Sequence, residues 1–295
     1  MTSHPDFICV GAQKAATTWL YSVLKRTPGV FLPKIKELHY FSQLYALDAQ
    51  SFGPRHRAEQ IAAVREYHTK NNTGSEYEKL VLAELDHLES ETFDDDWYRT
   101  IFSFAPEDHI CAEICPSYMS MPYKGVRHAI SINPLVRVLI IVRDPVDRMW
   151  SHMRMNMKTG FLDFDLDRII SGELTLGPYL KYTDYAAAIR RWSTMSAPGR
   201  LKVIAYDHIA QDPHAVFTDL ATFMGLEDAS TRADLSQVVF SGGKSAIPDQ
   251  LRALLLEQLA PQYEYLSDHF PDLVDRWLSD HHAALQHTSD PISNA

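Results

Sequence analysis

Short apolar runs alternate with helical patterns along most of the chain. Phe7-Ile-Cys-Val10 is one such run; it stops at Gly11. From Thr17 the stretch Thr-Thr-Trp-Leu-Tyr-Ser-Val-Leu-Lys repeats its apolar positions at helical spacing until Pro28-Gly29 closes it. The same order returns more strongly at Arg137-Val-Leu-Ile-Ile-Val142, continuous apolar sequence that suits a strand buried on both faces. Asp144 follows as an N-cap with Pro145 in the first helical position, and a helix is expected through Met157. Two strand–loop–helix units predict a parallel sheet. Further strands are expected at Ile110 to Glu113 and Leu201 to Ala205, with helices near Tyr123 to Ser131, Tyr185 to Thr194 and His214 to Met224. The fold class is therefore α/β, a parallel sheet flanked by helices.

Two helical patterns, Ala58 to His68 and Glu76 to Glu89, stand outside this alternation and predict a helical insertion over residues 55–105, a flap over one end of the sheet. The linker between them, Thr69 to Ser75, carries Asn71-Asn72-Thr73-Gly74 and reads as mobile. From Pro248 a helical pattern runs towards Ser279, with breaks expected at Pro261 and Pro271, and the tail from His287 to Ala295 is expected to fray. No repeat or linker divides the chain, so residues 1–295 read as one domain.

Composition narrows the function. The 295 residues are 45% apolar and 22% charged, enough for a sizeable core. A net charge of −10 repels polyanions unless basic residues gather in one cleft, so nucleic acid is not an expected partner. The longest apolar run, Val138 to Val142, falls far short of a membrane span, and Met1 to Phe7 lacks the apolar stretch of a signal peptide. A cytoplasmic protein is expected. Cys9, Cys111 and Cys115 make an odd count in strand-like surroundings, which predicts buried reduced thiols rather than disulfides.

Two segments carry candidate chemistry. Gly11-Ala12-Gln13-Lys14-Ala15-Ala16-Thr17-Thr18 joins a buried strand to a helix N-terminus, where free N–H groups and the helix dipole attract an anion and Lys14 adds a full charge. An ordinary loop with an exposed lysine is the plainer reading. The triphosphate loop G-x-x-x-x-G-K-[ST] is not present, because Ala15 follows Lys14 where a hydroxyl would hold magnesium, and no metal is expected. In the second segment Arg143 closes a strand, and Ser151 stands about two helical turns further on. The arginine can fork two phosphate oxygens while the serine donates a third bond, or it can simply pair with Asp147.

Together these segments resemble the sulfotransferases that use 3′-phosphoadenosine 5′-phosphosulfate. The first loop is similar to the family's 5′-phosphosulfate loop G-x-x-K-x-G-T-T, with Ala16 standing where glycine is usual. Arg143-Asp144-Pro145-Val146-Asp147-Arg148-Met149-Trp150-Ser151 matches the 3′-phosphate motif R-D-P-x-x-R-x-x-S at every fixed position. Ser241-Gly242-Gly243-Lys244-Ser245 looks more loosely like the loop that closes on the 3′-phosphate, although Gly242-Gly243 also suits a plain turn. The resemblance implies a P-loop-like sulfotransferase fold, the phosphosulfate nucleotide as donor without metal, and donor contacts from Gln13, Lys14, Ala15, Ala16, Thr17, Thr18, Arg143, Ser151, Gly242, Gly243 and Lys244.

On the acceptor side, Lys36-Glu37-Leu38-His39-Tyr40-Phe41 resembles the E-x-H-F/Y-F segment of carbohydrate-type members, which implies Glu37 as base and His39 beside it. In an extended segment both would share one face. The bland reading pairs Glu37 with Lys34 or Lys36 and leaves His39 as a packed ring. Where glycan enzymes carry E-K-T-P-x-Y, this chain has Glu113-Ile114-Cys115-Pro116-Ser117-Tyr118, so a lysine is missing at Ile114 while Glu113 and Tyr118 are expected to border the cleft. Met149, Met153, Met155 and Met157 with Trp150 suit either an acceptor wall or core, and His281, His282 and His287 are assigned to a solvated tail. The implied reaction is sulfuryl transfer to a hydroxyl of a glycan, lipid or small alcohol. The rivals are a nucleotide-binding protein that has lost transfer and a kinase-like enzyme of the same fold.

Overall fold

The computed structural model describes residues 4–46, 49–71, 73–161, 163–226 and 245–287. The chain enters through β1 (Phe7–Gly11), α1 (Thr17–Leu24) and the short β2 (Val30–Phe31). Four helices follow: α2 (Tyr40–Tyr45), α3 (Ala49–Lys70), α4 (Glu76–Leu88) and α5 (Asp95–Ser103). The sheet resumes with β3 (Ile110–Ile114), a 3₁₀ turn at Pro116–Ser120, α6 (Tyr123–Ile132) and β4 (Arg137–Val142). Then come α7 (Pro145–Lys158), α8 (Leu166–Ile170), α9 (Gly177–Lys181), α10 (Tyr185–Met195) and β5 (Leu201–Ala205). The remainder is helical: α11 (Tyr206–Gln211), α12 (Pro213–Met224), α13 (Asp249–Ser267) and α14 (Pro271–His287).

The strands lie in the order β2-β3-β1-β4-β5, and every pairing is parallel. β1 and β4 sit side by side at the centre, where helices cover both faces and their apolar runs are buried. The chain leaving β1 turns towards β2, whereas the chain leaving β4 turns towards β5. Their carboxyl ends therefore flank a topological switch point, the crevice where open α/β sheets bind ligands. Both candidate anion segments begin there. The three cysteines are free and buried, as expected.

Several expectations change. α13 runs unbroken through Pro261, although a break was expected there, while Pro271 does start α14. Leu251, Leu255, Leu259, Tyr263 and Leu266 form a buried stripe against α7, α10 and α14. Burial at ~1.5–3 kcal/mol per side chain outweighs the ~3 kcal/mol that an interior proline costs. α3 likewise starts at Ala49 and passes Pro54, well before Ala58. The linker ahead of α4 is pinned at Thr73 and Ser75: a capping box joins Ser75 to Glu78, and Glu78 also accepts from the Thr73 amide at 2.6 Å.

Glu84 on α4 is buried and accepts from the Lys34 amide at 2.7 Å. Burial raises its pKa to about 7 from 4.5. The folded chain thus binds a proton that the unfolded chain releases, and the stability this proton supplies is lost as pH rises from about 4.5 through 7. Glu84→Gln keeps an oxygen for the Lys34 amide and removes the titration. Its stability relative to the parent is expected to improve between pH 5 and pH 8 by about 3 kcal/mol at most, measured by urea denaturation at both. An unchanged difference across that range would contradict the titration.

Candidate active site

The first loop leaves β1 at Gly11, where φ is +153° and a Cβ would come within 2.8 Å of the Met119 Cβ. Glycine is required there by contact as well as by conformation. Lys14 and Ala16 also take left-handed backbone, at φ 70° and 64°. Ala16 caps α1 without any side-chain hydrogen bond. This run of turns leads directly into the unpaired amides of the first turn of α1, a concave anion-binding arrangement of N–H groups. Ala16 therefore keeps the backbone for which glycine is the easier residue, at a cost of about 1 kcal/mol. Ala16→Gly is expected to stabilise the chain by up to that amount, read as a raised denaturation midpoint; a destabilised variant would count against the left-handed turn.

The second segment fastens this loop from behind. The Arg143 guanidinium donates to the Lys14 carbonyl at 3.1 Å, and Arg148 donates to the Gln13 carbonyl at 3.4 Å and the Tyr179 carbonyl at 3.0 Å. The Ala12 and Ala15 amides donate to the Ile141 and Ala12 carbonyls, at 2.9 and 3.2 Å, and the amides of the first turn of α1 are left for the crevice. Arg148 is fully buried, and burial brings its pKa down to about 10. Arg143 stays partly exposed over the Tyr206 ring at 4.9 Å, with Asp147 3.8 Å away, so the expected ion pair exists but is long. Ser151 is buried on α7, two turns along from the same strand end.

Asp144 caps α7 by accepting from the Asp147 amide at 2.7 Å. It also accepts from the Tyr263 hydroxyl and from His281 Nε2, each at 3.1 Å. The assignment of His281 to a solvated tail is thus overturned: α14 folds back onto α13 and buries the ring against the cap. Arg252 stands 2.7 Å from Nδ1 and can only donate, so Nδ1 accepts and the proton sits on Nε2 facing Asp144. His282, one residue on, is exposed.

Glu37 and His39 do share one face, but not through an extended segment. Both residues are left-handed, at φ 66° and 56°, and His39 Nε2 lies 3.6 Å from Glu37 Oε2. The insertion holds this turn. Gln60 on α3 accepts from the Lys36 amide at 3.0 Å and donates to its carbonyl, while Arg57 donates to the Leu38 carbonyl at 3.0 Å and stacks on Phe93. His39 Nδ1 lies 3.0 Å from Ser117 Oγ and 3.2 Å from Ser42 Oγ. Burial pushes the ring's pKa down to about 4, so it is neutral at pH 7. Lys36 spans the crevice, its ammonium 3.0 Å from Glu37 Oε1 and 3.4 Å from Thr18 Oγ1.

Glu113 and Tyr118 do not border the cleft. Glu113 is buried and accepts from the Tyr98 and Tyr118 hydroxyls, because α5 brings Tyr98 over the strand end. Ile114 is buried beside it. Met149 and Met153 are core, whereas the Met155 sulfur lies 3.8 Å from Lys14 Nζ. Burial, then Arg143, Arg154, Lys36 and Arg148, hold the Lys14 pKa below its ordinary value. In a chain of net charge −10, Lys14 thus feels four other cations, of which Arg148 is buried behind the loop. Gly242, Gly243 and Lys244 lie outside the described residues; the carbonyl of Ser245, just after them, accepts from Trp150 Nε1 on α7 at 3.0 Å.

The structure thus brings the Lys14 to Thr18 turn beside Arg143, with Glu37 and His39 reached from Thr18 through Lys36, while Ser151 is placed only by its burial two turns along α7. Sequence reasoning missed Lys36 as the bridging cation and the clamping roles of Arg57 and Gln60. Lys36 was visible beside Glu37, but its contact with Thr18 crosses eighteen positions. α3 offered no local sign of what it would grip.

A model of the Sulfotransferase family matches residues 5–230 of this chain. Among solved structures, a sulfotransferase from Alicyclobacillus acidocaldarius superposes with a TM-score of 0.65 at 20% identity, covering 93% of this chain and 98% of that one. The sulfotransferase domain of the Synechococcus PCC 7002 olefin synthase gives 0.51 at 18% identity, covering 87% and 94%. A sulfotransferase from Mycobacterium avium gives 0.50 at 13% identity, covering 91% and 77%. At these identities the likeness speaks for the fold.

Proposed function

This chain belongs to the sulfotransferase family, and from that premise we propose that it transfers a sulfuryl group from 3′-phosphoadenosine 5′-phosphosulfate to the hydroxyl of an acceptor. The observation that carries the reading is the bond from Arg143 to the Lys14 carbonyl, which ties the two anion segments into one crevice. The amides of Lys14, Ala16, Thr17 and Thr18 suit the 5′-phosphosulfate, the Ala15 amide being bonded to the Ala12 carbonyl within the turn, and Arg143 with Ser151 suits the 3′-phosphate that distinguishes this donor from ATP. The acceptor oxygen attacks sulfur, the bond from sulfur to the 5′-phosphate oxygen breaks, and 3′-phosphoadenosine 5′-phosphate leaves with the electron pair. Glu37 takes the hydroxyl proton, and neutral His39 orients the acceptor. Lys14 offsets the charge developing on the leaving phosphate.

The lysine absent at Ile114 has a replacement in Lys36. Its position between Glu37 and Thr18 lets one ammonium serve both the base and the phosphosulfate end of the site. The whole chain is taken as one transferase unit in which α3 to α5 form an insertion that steadies the base. No described helix is long and apolar enough to cross a membrane. Free buried cysteines support work in a reducing cytoplasm.

Incubation with labelled donor, a chelator and a panel of alcohols, phenols and glycans is expected to give a labelled sulfate ester. Calorimetry is expected to show 3′-phosphoadenosine 5′-phosphate binding far more tightly than ATP. Tight binding without transfer to any acceptor would favour a binding protein, and a requirement for magnesium with ATP preferred would favour a kinase-like enzyme.

A further inference from the structure

His56 on α3 stands at the site with no part in the transfer just described. Its ring packs edge-on against His39, with centroids 5.2 Å apart, and stacks on Phe52 at the same separation. One ligand atom each from Glu37, His39 and His56 lies within 4.8 Å of the others. His39 Nε2 is buried, faces this space and has no hydrogen-bond partner among the described residues. A buried polar atom left unpaired calls for an explanation, and an ion is one of the few available.

We propose that Glu37, His39 and His56 form a binding site for a divalent transition-metal ion of the zinc type, and that its occupation stops transfer by engaging the carboxylate of the base. The inhibition rests on the assignment of Glu37 as base; the binding does not. The distance of 3.6 Å from His39 Nε2 to Glu37 Oε2 is close to the edge of a tetrahedron with zinc–ligand bonds of ~2.0–2.1 Å, roughly 3.4 Å. Lys36 holds the other oxygen, Oε1, so the ammonium and the ion do not compete for one atom. Ser117 and Ser42 hold His39 Nδ1 and leave Nε2 as the ligand, the outer arrangement that orients metal-binding imidazoles. Two imidazoles and one carboxylate select zinc over magnesium or calcium and leave a fourth position for water.

A second group, Asp144, Asp147 and His281, is also close enough for an ion. Its polar atoms are already used: Asp144 holds the α7 cap, Tyr263 and His281, and His281 holds Arg252. His56 Nε2 in the first group also has a neighbour, Gln60 Nε2 at 2.6 Å, and it is the unpaired Nε2 of His39 that distinguishes that group.

The test is a titration of the whole chain with zinc chloride by calorimetry in a non-coordinating buffer, repeated with Co²⁺ as an optical probe. One ion per chain and a tetrahedral cobalt spectrum are expected. His56→Ala is expected to weaken binding by ~100-fold or more, since losing a ligand costs at least as much as losing an outer-shell partner. His56→Gln, which keeps the side-chain bulk, guards against misfolding. Both variants should retain transfer and resist zinc, and zinc should leave 3′-phosphoadenosine 5′-phosphate binding unchanged in the parent. Zinc bound equally by the parent and both variants, or not bound by the parent, overturns the site. Zinc bound through His56 while transfer continues overturns Glu37 as base and leaves the metal site standing.

Discussion

Glu37→Gln is expected to lower kcat by ~10²–10⁴-fold while the affinity for 3′-phosphoadenosine 5′-phosphate stays that of the parent. The amide fills the same space but cannot take the acceptor's proton. The turn should survive, because Arg57 and Gln60 hold it through backbone groups rather than through the Glu37 side chain. Lys36 loses its partner on Oε1 and keeps its place near Thr18, so the donor side remains charged. Single-turnover kinetics with labelled donor separates the two effects. A variant as fast as the parent would move the base elsewhere; a variant that loses nucleotide affinity in step with rate would give Glu37 a structural role instead.

Arg143→Ala is expected to weaken binding of 3′-phosphoadenosine 5′-phosphate by ~100-fold or more, on the order of two charge-assisted hydrogen bonds. Two contributions combine. The forked contact proposed for the 3′-phosphate would disappear, and the Lys14 carbonyl would lose its donor at 3.1 Å. Calorimetry can divide them. Adenosine 5′-phosphate lacks the 3′ group, so its binding reports the loop alone, and the preference for the bisphosphate should collapse in the variant. An alanine variant that holds the bisphosphate as tightly as the parent would refute the nucleotide site and, with it, the transfer chemistry.

Much of this architecture is legible in the sequence. β1, β4 and the helices after them carry unbroken apolar runs, an Asp-Pro cap and helical spacing, all signals read within a dozen neighbouring residues. The motif from Arg143 to Ser151 likewise lies on one local segment, so its residues were found together. Other features were not local. Pro261 looked like a break because its own cost is local, whereas the stripe that outweighs it is buried by α7, α10 and α14. His281 looked like tail because Asp144 lies 137 positions away. Glu113 looked like a cleft residue because nothing near it announces Tyr98.

The order of the chain alone was enough to predict a parallel α/β sheet, two candidate anion loops at its strand ends, and Glu37 and His39 as neighbours. Backbone propensity and hydrophobic spacing act over a few residues, so one strand–loop–helix unit can be read without the rest. Packing decided the remainder: the left-handed turn at Glu37 and His39, the clamp from α3, the reach of Lys36 to Thr18, and the carbonyls pinned by Arg143 and Arg148. Each is a directional contact between segments far apart in the chain, and its energy exists only once the sheet and the helices have brought the partners within about 3 Å.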